Sequence, residues 1–446
     1  MSKAMIDAAL KKATDTKACV ISEGALECIP KLFREHFESV SVILICDPRT
    51  LLAAGESVEA LLTADGIEVS KFILEPSGKT FHADYFYVDQ VRDAIAAAAK
   101  NGVYPVPVSV GSGVINDLTK RAAGELNLAY MSVATAASVD GYSSFGAALR
   151  SPEGAKQTYA CPAPRVIVAD LDVIRTAPEW MAASGFADLM AKVPAGADWI
   201  LAYELGASIW HESSWHTVQD GLKEAIGDPE GVVAKETEPL TRFVEGLMLG
   251  GFAMQDMQSS RPASGAEHLF SHLLEMRDHT YKGEIVPHGI QVGVFTLFMC
   301  RVYEQILAFD YTKLDVEKCL KNWLPIEEAE NLGLEAFGST KFPSLGVTSV
   351  RAKFVDRDVT KARLEDFKAR WPQIRARLVE QLIPSEEIKR RLEVVGAPTS
   401  PEAIGSTVEA TLSDVRKTIF MRDRYMALDF LALTGQLDEF AAKAIS

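Results

Sequence analysis

The chain has 446 residues, 48% hydrophobic and 24% charged, a globular composition with room for two large domains or about three average ones. Its 46 Lys and Arg against 61 Asp and Glu leave a formal net charge of -15, so no diffuse positive field is available to hold nucleic acid or an anionic membrane. The longest apolar stretches, such as Val292 to Cys300, stop short of the roughly 18 to 20 residues a membrane helix needs, and the N-terminus has no apolar signal-peptide core, so a cytoplasmic protein is expected.

Up to about residue 172, short β-branched runs alternate with helical patterns in the way that builds a parallel sheet. Strands are predicted at Val42 to Cys46, Val69 to Leu74, Val106 to Val110, Ala129 to Val133 and Val166 to Ala169, several of them ending in turn residues such as Asp47-Pro48 or Glu75-Pro76. Helices are predicted at Tyr85 to Lys100, closed by Asn101-Gly102, and at Ile115 to Leu126. Residues 1–172 therefore read as a Rossmann-like, doubly wound α/β domain. Beyond Pro178 apolar residues recur at three and four positions, and prolines at 194, 239, 262, 287, 325, 343, 372 and 384 punctuate helix-length segments, so 173–446 reads as an all-helical domain. Arg351 to Arg377 holds nine basic and four acidic residues, the pattern of a solvated helix with mixed charges rather than an anion-binding face. Six cysteines with no CxxC pair fit buried thiols in a reducing compartment. With no flexible linker between the halves, a cleft between them is the default ligand site.

Val106 to Val110 runs into Gly111-Ser112-Gly113-Val114-Ile115, a strand, a glycine turn and a helix start. Glycines let the backbone approach a pyrophosphate, and the free N–H groups and positive end of the following helix stabilise its charge. The full GxGxxG spacing is absent, so a tight turn without ligand is the plainer alternative. Asp47, at the end of an earlier strand, adds a carboxylate suited to accept hydrogen bonds from the adenosine ribose hydroxyls of a dinucleotide. It is otherwise a turn residue before Pro48. A free Asp47 disfavours the extra phosphate of NADP, although Arg49 is near enough to meet it.

In the second half, three segments set metal-capable side chains beside glycine or proline: Gly185 to Asp188, Arg261 to His272, and Val286 to Gly289. Five of the eight histidines fall between His216 and His288. His268 and His272, four apart, share one helix face and could share a metal or a substrate. Asp188 follows a glycine at what reads as a helix start, where its plainer role is an N-terminal cap. One Asp with two His suits a catalytic zinc, iron or nickel ion with open positions, but spacing does not choose among the histidines. His279 lies in a polar, exposed-looking stretch, and His211 and His216 flank Trp215 as packing residues would.

Together the motifs resemble the sn-glycerol-1-phosphate dehydrogenases, in particular their bacterial branch, within the superfamily of iron-containing alcohol dehydrogenases and dehydroquinate synthases. The resemblance rests on Val110-Gly111-Ser112-Gly113 with Asp117, on Thr135-Ala136-Ala137-Ser138-Val139-Asp140-Gly141, on Gly185 to Asp188 with Lys192 and Ala197-Asp198-Trp199, on Ser260 to His268 with His272, and on Arg422-Asp423-Arg424-Tyr425. It implies a dinucleotide-binding domain over 1–172, a metal- and substrate-binding helical domain over 173–446, and a metal between them. Matched residue by residue, Asp188, His268 and His288 correspond to the metal ligands and His272 to a substrate-side histidine. Gly111, Ser112, Gly113, Val114 and Ile115, with Thr135, Ala136, Ala137 and Ser138, correspond to NAD or NADP contacts. Asp140 corresponds to a residue at the substrate, beside Asp188 and His272, and Ser144 to a further cofactor contact. Ser112 stands where many relatives have a third glycine, and 326–400 matches poorly.

The function implied is reversible hydride transfer between a nicotinamide cofactor and C2 of a three-carbon phosphate, interconverting dihydroxyacetone phosphate and sn-glycerol 1-phosphate, with His272 relaying the proton. A homodimer is implied as well. The rivals are an unphosphorylated glycerol, polyol or alcohol dehydrogenase, a cyclising lyase like dehydroquinate synthase, and a non-catalytic nucleotide- or metal-binding protein. Two anionic ligands in a chain of negative net charge demand local cations, for which Lys120, Lys192 and Arg261 are the candidates.

Overall fold

The computed structural model describes residues 3–76, 81–152 and 156–445. The first half folds around a six-stranded sheet in the order β1-β8-β5-β4-β2-β3, with every pairing parallel. The strands are β1 (Ala18–Ser22), β2 (Ser41–Cys46), β3 (Glu68–Ile73), β4 (Val106–Gly111), β5 (Met131–Ala134) and β8 (Val166–Asp170), and a separate antiparallel pair joins β6 (Ala147–Arg150) to β7 (Lys156–Tyr159). Each of the five strands expected from the sequence is present. The sixth, β1, pairs only with β8 at the sheet edge and is half-buried, so it lacks the fully apolar signature of its neighbours. The β6/β7 hairpin also went unpredicted.

The sheet is covered on both faces because successive side chains of a strand point opposite ways. Val42, Leu44 and Cys46 of β2 join Val106, Val108 and Val110 of β4 in one core, against the helices Ile29–His36 and Glu56–Ala64. Ile43 and Ile45 face the other core with Val88, Val91, Ile115 and Leu118, from the helices Tyr85–Ala97 and Gly113–Glu125. Strand β2 has β3 on one side and β4 on the other, so the direction of winding reverses there. In open parallel sheets, the crevice at the carboxyl ends of the strands flanking such a reversal is the preferred ligand site. Asp47 leaves β2, and the Gly111 turn leaves β4, at that end.

The second half is helical, as expected, apart from the two-residue strands Thr280–Tyr281 and Glu284–Ile285. Most of its prolines mark helix starts rather than breaks. Pro194 and Pro239 lie in first turns, and Pro287, Pro325 and Pro384 immediately precede helices, where no backbone N–H is required. Pro372 is the exception, inside Arg357–Gln381. From that helix, Arg370 and Arg377 both reach Glu204 and Lys361 reaches Glu317, in keeping with a solvated ion-paired face.

The compact units are not consecutive spans. One comprises Met1–Leu189, Ser213–Ser260 and Val394–Gly396, and the other Met190–Glu212, Arg261–Glu393 and Ala397–Ser446. Thr237–Met257 thus belongs with the sheet. Its Gly246 is close enough to Leu189 and Ala225 that a Cβ would meet them at 2.8 and 3.0 Å. Among the described residues, His288–Ala308 is the one helix long and apolar enough to cross a membrane, and 78% of its apolar window is buried inside the protein. Its apolar stretch Val292 to Cys300 is flanked by Gln291 and Arg301, so no stretch of membrane length stands out in the sequence. All six cysteines are free; Cys46, Cys300 and Cys319 are buried, whereas Cys28 is exposed.

Candidate functional site

The glycine turn is dictated by crowding. Strand β4 ends at Gly111, Ser112 is the N-cap residue, and Gly113 opens the helix Gly113–Glu125. Neither glycine has a positive φ. A Cβ on Gly111 would lie 2.5 Å from Cβ of Ile115, and one on Gly113 would lie 2.8 Å from Val139 Cγ2. The turn therefore folds back on its own helix and presses against the segment after β5. That segment, Thr135 to Ser138, is buried and fixed by the Thr135 N–H donating to the Gly111 carbonyl at 3.1 Å. The Tyr142 hydroxyl donates to the Ala136 carbonyl at 2.6 Å.

At the neighbouring strand end, Asp47 caps the short helix Pro48–Thr50. Its Oδ1 accepts from the N–H groups of Arg49 and Thr50 at 2.9 and 2.8 Å, and the Asp47 N–H donates to Thr50 Oγ1 at 3.0 Å. The side chain has a structural task at Oδ1 and is half-buried.

The loop from Asp140 to Ser144 is held from two sides. Gly251 lies so close that a Cβ would meet Ser143 Oγ at 2.1 Å, and Ser143 Oγ donates to the Met248 carbonyl at 2.7 Å. On the other side Lys120, wholly buried, donates to the carbonyls of Gly141 and Gly146 at 2.9 and 3.0 Å and lies 3.2 Å from Asp117 Oδ1. Ser144 is drawn into this cage, its Oγ donating to Gly141 O at 3.0 Å and accepting from Lys120 at 3.4 Å. Asp188 lies inside the helix Glu179–Met190, near its end, which overturns the alternative role of an N-terminal cap. There its Oδ2 accepts the Asp140 N–H at 3.2 Å.

In the second unit, the helix Ala266–Met276 presents His268 and His272 on one face, with ring centroids 6.2 Å apart. His288 opens the next long helix, and its ring is 5.5 Å from His268 and 5.8 Å from His272. Two of the three rings have Nδ1 engaged by a carboxylate. His268 Nδ1 donates to Glu267 Oε1 at 2.7 Å, and His288 Nδ1 lies 2.9 Å from Glu275 Oε1 and 3.0 Å from Ser271 Oγ. That pattern leaves Nε2 of each ring as the nitrogen able to ligate a metal. Ligand atoms of His272, Glu275 and His288 also lie within 4.8 Å of one another, but Glu275 meets His288 at Nδ1, as an orienting partner does. The remaining histidines go elsewhere. His279 Nε2 lies 2.7 Å from the Ile404 carbonyl, and His216, expected to pack, is exposed beside Asp220.

His272 differs from the other two. Arg422 Nη2 donates to its Nδ1 at 3.1 Å, and a guanidinium has no acceptor, so neutral His272 carries its proton on Nε2. Beneath the helix start, Asp198 Oδ2 accepts the Ala266 N–H at 2.7 Å while Oδ1 accepts from the Tyr303 hydroxyl at 2.6 Å and the Ala427 N–H at 2.9 Å. Burial, with the nearby Glu267 charge, pushes the Asp198 carboxyl up to about 6.

The three expected cations do not present accessible charge. Lys120 is caged, Lys192 is wholly buried, and Arg261, 4% exposed, donates to the carbonyls of Tyr425 and Asp198 at 3.1 and 3.2 Å. Arg422 and Arg424, half-buried in the loop before Ala427–Thr434, were not among the cations expected there, yet Arg422 meets His272. Two arginines within three residues of a loop were the available signal.

Residues 20–178 match the family model described as iron-containing alcohol dehydrogenase. A protein of Halalkalibacterium halodurans named glycerol-1-phosphate dehydrogenase (NAD(P)+) is 31% identical over 285 residues, which cover 64% of this chain and 70% of that one. A protein of the same name from Geobacillus thermodenitrificans is 26% identical over 386 residues, covering 86% of this chain and 84% of that one. Among solved structures, glycerol dehydrogenase from Schizosaccharomyces pombe superposes with a TM-score of 0.58 at 17% identity, over 97% of this chain and 91% of that one.

Proposed function

The chain belongs to the glycerol-1-phosphate dehydrogenases of the iron-containing alcohol dehydrogenase superfamily, and from that membership we propose that it interconverts dihydroxyacetone phosphate and sn-glycerol 1-phosphate, with NAD or NADP as hydride carrier. The observation that carries the reading within this chain is the histidine cluster, where carboxylates at both Nδ1 atoms set His268 and His288 to offer Nε2.

The turn at Gly111, Ser112, Gly113, Val114 and Ile115 binds the pyrophosphate with its backbone N–H groups and the positive helix end. Thr135, Ala136, Ala137 and Ser138 line the same cofactor, and Ser144 supports that wall through Gly141 and Lys120. Asp47 takes the ribose hydroxyls with Oδ2, since Oδ1 serves the cap.

Asp188, His268 and His288 hold one divalent ion. One carboxylate and two imidazoles suit zinc, nickel or iron. Such an ion supplies Lewis acidity toward the C2 oxygen of the substrate. Asp140, whose N–H is tied to Asp188, orients the terminal hydroxyl. His272 faces the C2 oxygen with Nε2–H and donates a hydrogen bond to the charge that develops there on reduction. A proton relay through this ring, as the sequence suggested, requires Arg422 first to release Nδ1. On the resemblance alone, we propose that the enzyme is a homodimer.

A substrate panel tests the reading. Metal-loaded protein is expected to oxidise NADH or NADPH with dihydroxyacetone phosphate and to reduce NAD(P)+ with sn-glycerol 1-phosphate. Faster turnover of glycerol, or of sn-glycerol 3-phosphate, overturns it.

A further inference from the structure

The second unit gathers three arginines around the Ile419 to Met426 loop, and the loop is built to hold them there. Ser349 Oγ donates to the Arg422 carbonyl at 2.5 Å, Lys353 donates to the Ile419 carbonyl, and Lys353 Nζ is 2.5 Å from Asp429 Oδ1. Asp429 Oδ2 accepts the Met426 N–H at 3.0 Å, and the Ala427 N–H donates to Asp198 at 2.9 Å. Arg261 lies behind, pinning the Tyr425 carbonyl. The result directs Arg422 to His272 and sets Arg424 Nη1 3.3 Å from the Ser264 carbonyl, in the loop that leads to His268. Of five donors on its guanidinium, Arg422 spends one on His272.

Like charges held this close are costly to bury. The Arg424 guanidinium is held well below its ordinary range by burial and by the charges of Arg422 and Arg261, with Asp423 and Glu267 acting in the opposite sense. Glu267 is meanwhile engaged by His268 and the Gly265 N–H, and Asp423 is exposed. A concentration of guanidinium beside the substrate-side histidine, in a chain of net charge -15, is suited to a doubly negative oxyanion.

We propose that Arg422 and Arg424 form the subsite for the substrate phosphate, with Arg261 as the positioning residue that holds their loop. The proposal rests on the reading of His272 as the group at the C2 oxygen. A phosphate ester on the carbon next to C2 lies close to that oxygen, and Arg422 is held at the same histidine, on its Nδ1. The subsite selects dihydroxyacetone phosphate over dihydroxyacetone. Arg422 has two contacts to serve, the phosphate and the His272 ring, whereas Arg424 serves the phosphate and the Ser264 carbonyl.

The test measures KM for dihydroxyacetone phosphate, and the dissociation constant for inorganic phosphate by calorimetry, on the metal-loaded protein and its variants. Arg424→Ala is expected to raise both constants about tenfold to a hundredfold, the size of a lost charge-assisted contact, while kcat falls less than KM rises. Arg424→Lys, which keeps the charge without the fork, recovers part of the loss, and this rescue separates a phosphate contact from a folding defect. Arg422→Ala is expected to lower kcat as well. Unchanged KM and phosphate affinity in Arg424→Ala overturn the subsite even if turnover confirms the dehydrogenase reading. Conversely, if wild-type protein does not turn over dihydroxyacetone phosphate, the phosphate titration still decides: loss of phosphate binding in Arg424→Ala upholds the anion site, and its retention removes it.

Discussion

The carboxylate of Asp188 accepts the backbone N–H of Asp140 at 3.2 Å, and one turn earlier in the same helix Gly185 lies so close to Ala137 that a Cβ there would meet its carbonyl oxygen at 2.1 Å. The two contacts act together. Gly185 sets how near the helix Glu179–Met190 comes to the Thr135 to Ser138 segment, and that spacing fixes where the Asp188 carboxylate sits.

Replacing Gly185 by alanine separates packing from helix propensity. In an open helix the change stabilises by about 1 kcal/mol. Here the Cβ clashes with a backbone carbonyl that cannot rotate away, so Gly185→Ala is expected to destabilise by about 1–3 kcal/mol and to lower kcat/KM about 10²-fold through displacement of Asp188. Urea denaturation and steady-state kinetics check both parts. A stabilised, fully active variant contradicts the argument.

Asp47 has a cap role and a proposed cofactor role, and two substitutions divide them. Asp47→Ala removes an acceptor used by two N–H groups and is expected to cost about 1 kcal/mol. Asp47→Asn keeps a good cap but removes the charge, so its stability stays near wild type while the NADP-to-NAD ratio of kcat/KM rises about tenfold, on the order of 1.4 kcal/mol. An unchanged ratio in Asp47→Asn removes Asp47 from cofactor selection.

Much of this was legible in the sequence because it depends on local pattern. The run Val42 to Cys46 is apolar on both faces and Val106 to Val110 sets valine at alternate positions, so both read as buried strands, and Gly111 with Gly113 marked a strand-to-helix turn. The spacing of His268 and His272 placed both on one helix face. What stayed hidden depends on distant partners. Lys120 reads as a cation open to an anionic ligand until Gly141 and Gly146 are seen closing around it, 21 and 26 residues away. Among six histidines after Pro178, spacing could not single out His288; it joins His268 because two helices pack side by side. Arg422 is 150 residues from His272, so no local signal ties them. Nothing local in the sequence shows that Gly185 and Gly251 are where another stretch of backbone comes close, to Ala137 and to the Asp140 to Ser144 loop.

Glu267 orients His268 from Nδ1, which makes metal affinity depend on a residue proposed not to touch the ion. Glu267→Gln preserves shape and an acceptor oxygen but weakens the hydrogen bond and the basicity it confers. Zinc or nickel affinity, measured by chelator competition, is expected to fall about 10–100-fold, with little change in NADH binding. Equal affinity in variant and wild type means that Glu267 serves only the Gly265 turn.

Stability should carry the signature of Asp198. Its carboxyl is pushed up to about 6 from an ordinary 3.8, chiefly by burial and then by Glu267, against the pull of its three donors. A group whose folded-state value is raised contributes stability that is fully present below the unfolded value and is lost as pH rises through the folded one. The stabilisation from Asp198 is therefore complete below about pH 4 and gone above about pH 6. In Asp198→Asn that titration is absent. The stability of wild type relative to Asp198→Asn, from urea melts at intervals between pH 4 and 7, is expected to shrink with rising pH by an amount on the order of 1–3 kcal/mol. A difference that grows with pH has the opposite sign and means that Tyr303, Ala266 and Ala427 stabilise the ionised carboxylate more than burial opposes it.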